Sequence, residues 1–410
     1  VNLLSLSWRY LWSRPLTTAL NLLLLTLGLA TVAFVLLAQD RIERAFERDL
    51  QGIDLVVGAK GSPLQLILTG VFHLDVPPGN VALADVQALA RHPQVAQVIP
   101  LSLGDSLQAF RIVGTTPDYV AHYGADLAQG ALWSAPMQAV LGAQVAQATG
   151  LKAGQAFAGA HGLGGGGHLH GDTPYTVTGV LKPCGCVLDR LVLTDTASVW
   201  AVHEGLAPGE FEGLSAEDRS AIEAEREVTL ALVRYRTPLA AVSLPRLVNT
   251  TTKMQAAAPA VEITRLLSML GVGTRLLQGL GAVLLAVAGL SVFIALWGAV
   301  RERRADIAML RMLGAPPRRV GALLLLEALW LALLACALAL LLSQALAWFA
   351  GNLWTAGQGL IVSPWSAPVA LWVVPALALG VALLAAALPA ISAYRVDVAS
   401  LLSSSTSPTR

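Results

Sequence analysis

The stretch Arg301–Val320, RERRADIAMLRMLGAPPRRV, gathers six arginines into a short segment of a chain that is only 13% charged. Uncharged apolar sequence flanks it. Upstream, residues 276–300 (LLQGLGAVLLAVAGLSVFIALWGAV) carry no charge, and downstream none appears from Ala328 to Tyr394. Lysine and arginine beside membrane crossings stay on the cytoplasmic side, so a basic loop between two greasy runs reads first as a topology determinant.

The rest of the 410-residue chain agrees with that reading. It is 55% hydrophobic with mean hydropathy +0.64, too apolar for an ordinary soluble protein, and its net charge of +1 points to no nucleic-acid or other polyanionic partner. Residues 15–39 form another uncharged run, which includes LTTALNLLLLTLGLATVAFVLLA. A helix needs roughly 20 apolar residues to cross the hydrocarbon. The first two runs supply one crossing each. The last is long enough for two, divided at GNLWTAGQGLIVSPWSAP.

The expected order is a cytoplasmic amphipathic segment 1–15, crossings at 16–38, 275–300, 320–350 and 367–394, a basic loop at 301–319, an external hairpin at 351–366 and a cytoplasmic tail at 395–410. Arg9, Arg14, the loop cluster and Arg395 then share one side, with both termini. Trp348, Trp354, Trp365 and Trp372 around the hairpin suit an interfacial belt. The first run exceeds the apolar core of a signal peptide, and Ala38-Gln39-Asp40 is a poor cleavage site, so it is read as a retained anchor.

Residues 39–274 lie outside and hold 22 of the 26 acidic residues and all seven histidines. In QDRIERAFERDLQG, Ile42, Ala45, Phe46 and Leu50 recur at helical spacing, which predicts a stalk continuing the first crossing. From Thr250 through KMQAAAPAVEITRLLSMLG a second helical stalk is expected, kinked at Pro259. Between them, Asp85–Pro93 and Met137–Gly150 read as helices. VAQVIPLSL and QAFRIVGTT read as strands about a Gly104-Asp105 turn, and PYTVTGVLKP and DRLVLTD as further strands. The predicted fold class is an α-helical membrane protein with four transmembrane helices and a large mixed α/β extracytoplasmic domain on helical stalks.

No phosphate-loop, Gly-x-Ser-x-Gly or His-Glu-x-x-His motif occurs, and GLGGGGH lacks the Lys-Ser/Thr a phosphate cradle needs. The chain is therefore not read as an enzyme. In the basic loop, Ile307, Leu310 and Leu313 share a helical face, and Gly314 with Pro316-Pro317 ends the helix. Physically this suits either a knob for a partner's groove or a plain topogenic loop touching anionic membrane lipid.

ERRADIAMLRMLGAPPRRV resembles the signature loop of the FtsX-like permeases, the group of the MacB exporters, lipoprotein-releasing permeases and FtsX itself. RPLTTALN, VVGAKGSPLQLIL and PAISAYRVDVASLL are similar to other segments of that family, as is the layout of one crossing, a large external domain and three crossings. The resemblance implies a bacterial inner-membrane subunit of an ABC transporter. A separate cytoplasmic ATPase binds the ATP and Mg²⁺, and a second copy of the permease makes a homodimer. It places ATPase coupling on Glu302, Arg303, Arg304, Ile307, Leu310, Arg311, Leu313 and Gly314.

Other features stay open between two readings. Gly279, Gly281, Ala282, Ala286 and Gly289 allow close helix approach, at a dimer seam or within one copy. Glu327 is the one ionisable residue inside a crossing, shallow enough to face headgroups or an arginine. His161, His168, His170 and Asp172 in HGLGGGGHLHGD are candidate Zn²⁺ ligands, or a solvated glycine-rich loop. An oxidising exterior permits a Cys184–Cys186 bridge, although the ring is small.

The leading expectation is a permease subunit that couples a partner's ATP hydrolysis to movements of its periplasmic domain, exporting or extracting a lipid-like, peptide or drug-like cargo. The alternatives are a mechanotransmission subunit that activates a periplasmic partner such as a cell-wall hydrolase, and zinc-linked transport through the histidine loop.

Overall fold

Long uncharged runs form long helices because the backbone must satisfy its own hydrogen bonds where no water is present. The computed structural model describes residues 2–162, 173–204, 213, 215–302, 309, 312, 316–355 and 368–394. It opens with α1 (Leu3–Leu11) and α2 (Pro15–Leu50), followed by β1 (Leu55–Ala59), α3 (Pro63–Gly70), β2 (Val81–Ala82), α4 (Leu83–Ala90), β3 (Val95–Leu107) and β4 (Phe110–Thr115). Next come α5 (Pro117–His122), β5 (Leu127–Gly130), β6 (Gln138–Leu141), α6 (Ala143–Thr149), β7 (Ala156–Phe157), β8 (Ala160–His161), β9 (Tyr175–Leu181) and β10 (Leu191–Asp195). The chain closes with α7 (Thr196–Glu204), α8 (Ala216–Glu225), β11 (Glu227–Val228), β12 (Leu230–Tyr235), α9 (Ala240–Thr251), β13 (Met254–Ala257), α10 (Pro259–Glu302), α11 (Pro317–Thr355) and α12 (Val373–Tyr394).

The chain divides into two compact units, one built on the crossing helices and the other on Ile42–Met269. Four helices among the described residues are long and apolar enough to cross a membrane, with spans in Pro15–Leu50, Pro259–Glu302, Pro317–Ala350 and Val369–Ala393. Their core is lean in large residues. Leu25, Leu29, Leu285, Val292 and Leu331 meet a row of alanines at 328, 332, 335, 339, 378, 382 and 386. Small side chains bring the helix axes close and gain dispersion contacts where the hydrophobic effect offers little.

The outer unit is a mixed sheet in the order β13-β1-β12-β3-β4-β10-β6-β9-β5, with β7 on β9 and β8 on β3. β10 runs parallel to β4 and β6 parallel to β9, while the other pairings are antiparallel. Alternation along the strands sends successive residues to opposite faces. Val56, Leu230, Leu232, Val113, Leu191 and Val140 share one core with Phe46, Ile53 and Ile263. Leu55, Val57, Ala231 and Val233 face the other way, onto α4 and α9 through Leu89 and Leu244. The outer ends of α2 and α10 thus seat against one face of the sheet.

Three local expectations are corrected. β3 runs straight through Gly104-Asp105, and the turn falls at Gln108, which adopts φ 57. Long-range partners keep that stretch extended: Asp105 pairs with His161 in β8, and the Leu103 N–H donates to Thr229 Oγ1 at 3.0 Å. Met137–Gly150 is a strand followed by a helix, because Val140 faces one core while Ala139 and Leu141 face another. Met254–Ala257 is an edge strand on β1, not helix. Pro259 then opens α10 rather than kinking it, at a position where its missing N–H costs nothing.

Candidate functional site

Within the membrane unit, the described chain brackets the basic loop between the end of α10 at Glu302 and the start of α11 at Pro317. Glu302 forms an ion pair with Arg14, the residue just before α2. The amino-terminal helix is tied down beside them. Trp8 meets Trp330 edge-on with ring centroids 5.2 Å apart, Trp330 Nε1 donates to Ser7 Oγ at 3.2 Å, and Thr18 Oγ1 donates to the Leu11 carbonyl at 2.5 Å. Of the expected coupling residues, Arg303, Arg304, Ile307, Leu310, Arg311, Leu313 and Gly314 lie outside the described residues. Met309 and Met312 between them are helical and exposed.

A cavity of about 40 Å³ opens next to the ion pair, lined by Tyr10, Arg14, Thr18, Asn21 and Glu327 among others. That is room for a few water molecules. Glu327 and Asn21 are both buried, and Asn21 Oδ1 accepts from Ser291 Oγ at 2.7 Å. Glu327 therefore lines the same largely apolar cavity as Arg14, with Leu11, Val292, Leu296 and Leu331 around them.

The small residues of α10 divide their roles. A Cβ on Gly281 would lie 2.9 Å from Val32 Cγ2, and one on Gly289 would lie 3.2 Å from Val381 Cγ1. These two glycines serve packing inside one copy. Gly279 has nothing within 4 Å, and Ala282 and Ala286 are exposed.

In the outer unit, the last turn of α2 docks onto a polar joint that no local sequence pattern reveals. Asp49 Oδ1 accepts from the Val187 N–H at 3.0 Å, its carbonyl accepts from Tyr123 Oη at 2.8 Å, and Arg48 donates to the Gly185 carbonyl. Arg190 donates to the Phe72 carbonyl at 2.8 Å, and His73 Nε2 lies 3.0 Å from Tyr119 Oη. Burial pushes Asp49 up to about 6, while Arg190, the Val187 N–H and Arg48 pull it down. Burial, with Arg111 and Arg190 nearby, holds His73 well below its usual range. Burial likewise raises Tyr119 and Tyr123.

Of the candidate metal ligands, His161 is described, and its Nδ1 lies 3.0 Å from Oδ1 of the buried Asp105. His168, His170 and Asp172 lie outside the described residues. Among the described residues no three His, Cys, Asp or Glu side chains cluster as a metal site. Cys184 and Cys186 are joined in a disulfide with Cα atoms 5.1 Å apart, inside the usual range despite the small ring.

Four apolar crossing helices and an α/β domain entered by extensions of two of them define a multi-pass membrane protein with one large mixed α/β domain. The family comparisons narrow this class. Residues 279–398 match the FtsX-like permease C-terminal domain, and residues 18–204 match the MacB-like periplasmic core domain. The chain belongs to the FtsX-like permease family of MacB type. It is 29% identical over 102 residues to the pyoverdine export ATP-binding/permease protein PvdT of Pseudomonas fluorescens, a match spanning 25% of this chain and 14% of that protein. Among solved structures, the periplasmic region of MacB from Actinobacillus actinomycetemcomitans aligns over 53% of this chain and 95% of its own, at 13% identity and TM-score 0.35. The extracellular domain of the ABC-type transporter YknZ from Gram-positive bacteria aligns over 50% and 98%, at 15% identity and TM-score 0.30.

Proposed function

We propose that this chain is the permease subunit of a MacB/FtsX-type ABC transporter, a lever that carries force from a separate cytoplasmic ATPase to its own outer domain. The observation that supports this most is the continuity of α2 and α10. Each is one unbroken helix that includes an apolar window of crossing length. Each also ends in side chains packed on the sheet, namely Ile42, Phe46 and Leu50 from α2 and Ile263, Leu266 and Leu267 from α10. A hydrogen-bonded helix resists bending, so displacement at one end reaches the other.

Force enters at Glu302, Arg303, Arg304, Ile307, Leu310, Arg311, Leu313 and Gly314, which face the ATPase. ATP and Mg²⁺ belong to that subunit, and this chain is assigned no cofactor. Two copies pair, in the bacterial inner membrane, with the basic loop and both termini in the cytoplasm. The cargo is a lipid-like, peptide or drug-like molecule exported or extracted from the outer side. The export role in the name of PvdT falls within that range.

The test is ATP turnover by the purified complex in lipid. Reversing charge at Arg303 and Arg311 together is expected to leave the permease folded and to abolish its stimulation of the ATPase. Unchanged stimulation removes the coupling assignment.

A further inference from the structure

The joint at the end of α2 contains a covalent group, the bridge between Cys184 and Cys186. The Cys184–Cys186 bridge encloses only Gly185, which sits at φ 66. Closing so short a loop removes little freedom from the unfolded chain, so overall stability is not where the bridge acts. Its consequence is local. The bridged turn presents the Gly185 carbonyl to Arg48 and the Val187 N–H to Asp49 Oδ1, at 3.0 Å in the second case. Asp189 braces the turn from the other side, accepting from the N–H of Cys184 at 2.9 Å and of Gly185 at 2.8 Å. Arg48 and Asp49 belong to the last turn of α2, so the small ring shapes the socket that receives this helix.

The two sulfurs differ in access. Cys184 is half-buried, whereas Cys186 is buried at 3% exposure. Thiol–disulfide exchange begins with a thiolate attacking the sulfur it can reach. We propose that the Cys184–Cys186 bridge is a thiol–disulfide exchange site for a dithiol protein outside the membrane, and that opening it loosens the last turn of α2 from the domain. The partner's thiolate bonds to Cys184 Sγ as the Sγ–Sγ bond breaks. The electron pair leaves on Cys186, which takes up a proton. The partner's second thiol then attacks the mixed disulfide and releases Cys184 as a thiol. The chain gains two electrons and two protons, and the partner's dithiol becomes a disulfide. Only the effect on force transmission rests on the proposed function; the exchange stands on the local geometry.

The experiment uses the full chain in lipid nanodiscs with Cys336, the one free cysteine among the described residues, replaced by serine. Dithiothreitol is titrated in, new thiols are trapped with maleimide and counted by intact mass, and hydrogen exchange is followed over residues 44–50 and at Val187. Two maleimides should add while the domain stays folded by near-ultraviolet circular dichroism, and exchange in those segments should rise severalfold. The C184S/C186S variant should show the same raised exchange without reductant. A bridge that stays closed until the domain unfolds, or exchange that does not change on opening, overturns the proposal. A complex that fails to couple ATP turnover to movement contradicts the lever and leaves both of these readouts intact.

Discussion

Arg14 and Glu302 form an ion pair between the residue just before one crossing helix and the last residue of α10, at the start of the basic loop. Both side chains are more than a third exposed, so the pair contributes on the order of 0–1 kcal/mol to stability. Its importance lies in position. Arg14→Glu should shift thermal unfolding little yet weaken stimulation of the partner ATPase, and adding Glu302→Arg should restore much of it. A large loss of stability with no change in stimulation makes the pair structural only.

The buried carboxylate at the α2 joint sets a pH dependence. Its folded value, about 6, lies above the ordinary 3.8, so its contribution is complete below that ordinary value and is lost as pH rises through 6. At roughly 1.4 kcal/mol per unit, the loss is on the order of 3 kcal/mol. His73, held low by burial, has the opposite sign: its contribution is present above 6.5 and is lost on acidification. The whole-protein profile therefore mixes the two. The difference between wild type and Asp49→Asn isolates the carboxylate, and the variant should gain on wild type in unfolding midpoint between pH 4 and pH 7. A difference independent of pH refutes the assignment.

The small residues of α10 separate by substitution. Gly281→Ala forces a contact with Val32 inside one copy and should destabilise the membrane unit by about 1–3 kcal/mol, read as a lower unfolding midpoint in detergent. At Gly279 an added Cβ meets nothing within 4 Å, and Gly279→Leu should leave that midpoint unchanged while lowering the dimer fraction. If Gly279→Leu destabilises the monomer, or leaves the dimer intact, this face is not the seam.

Much of the architecture was legible in the sequence because hydrocarbon imposes a length and charge rule that needs no tertiary information. Residues 15–39 and 276–300 announce crossings, and Ile42, Phe46 and Leu50 announce a helical extension, by spacing alone. The outer domain is less legible, since its strands are set by partners far along the chain. Val140 and Leu141 look helical until β9 and β10 flank them, and Gly104-Asp105 looks like a turn until β8 pairs with it. Asp49 and Arg190 carry no local signature; only folding brings the end of a stalk against a turn 138 residues away.

Transmission through two continuous helices makes the separation of the outer domains depend on nucleotide in the partner ATPase. Spin labels at exposed Lys152 in both copies of a Cys336→Ala complex report how far apart the outer domains lie, without nucleotide and with ATP trapped. The distance should change on ATP trapping in the otherwise wild-type complex and stay fixed when Arg303 and Arg311 are both replaced by Glu. An outer-domain distance indifferent to ATP, or one that still responds in the double variant, contradicts the lever.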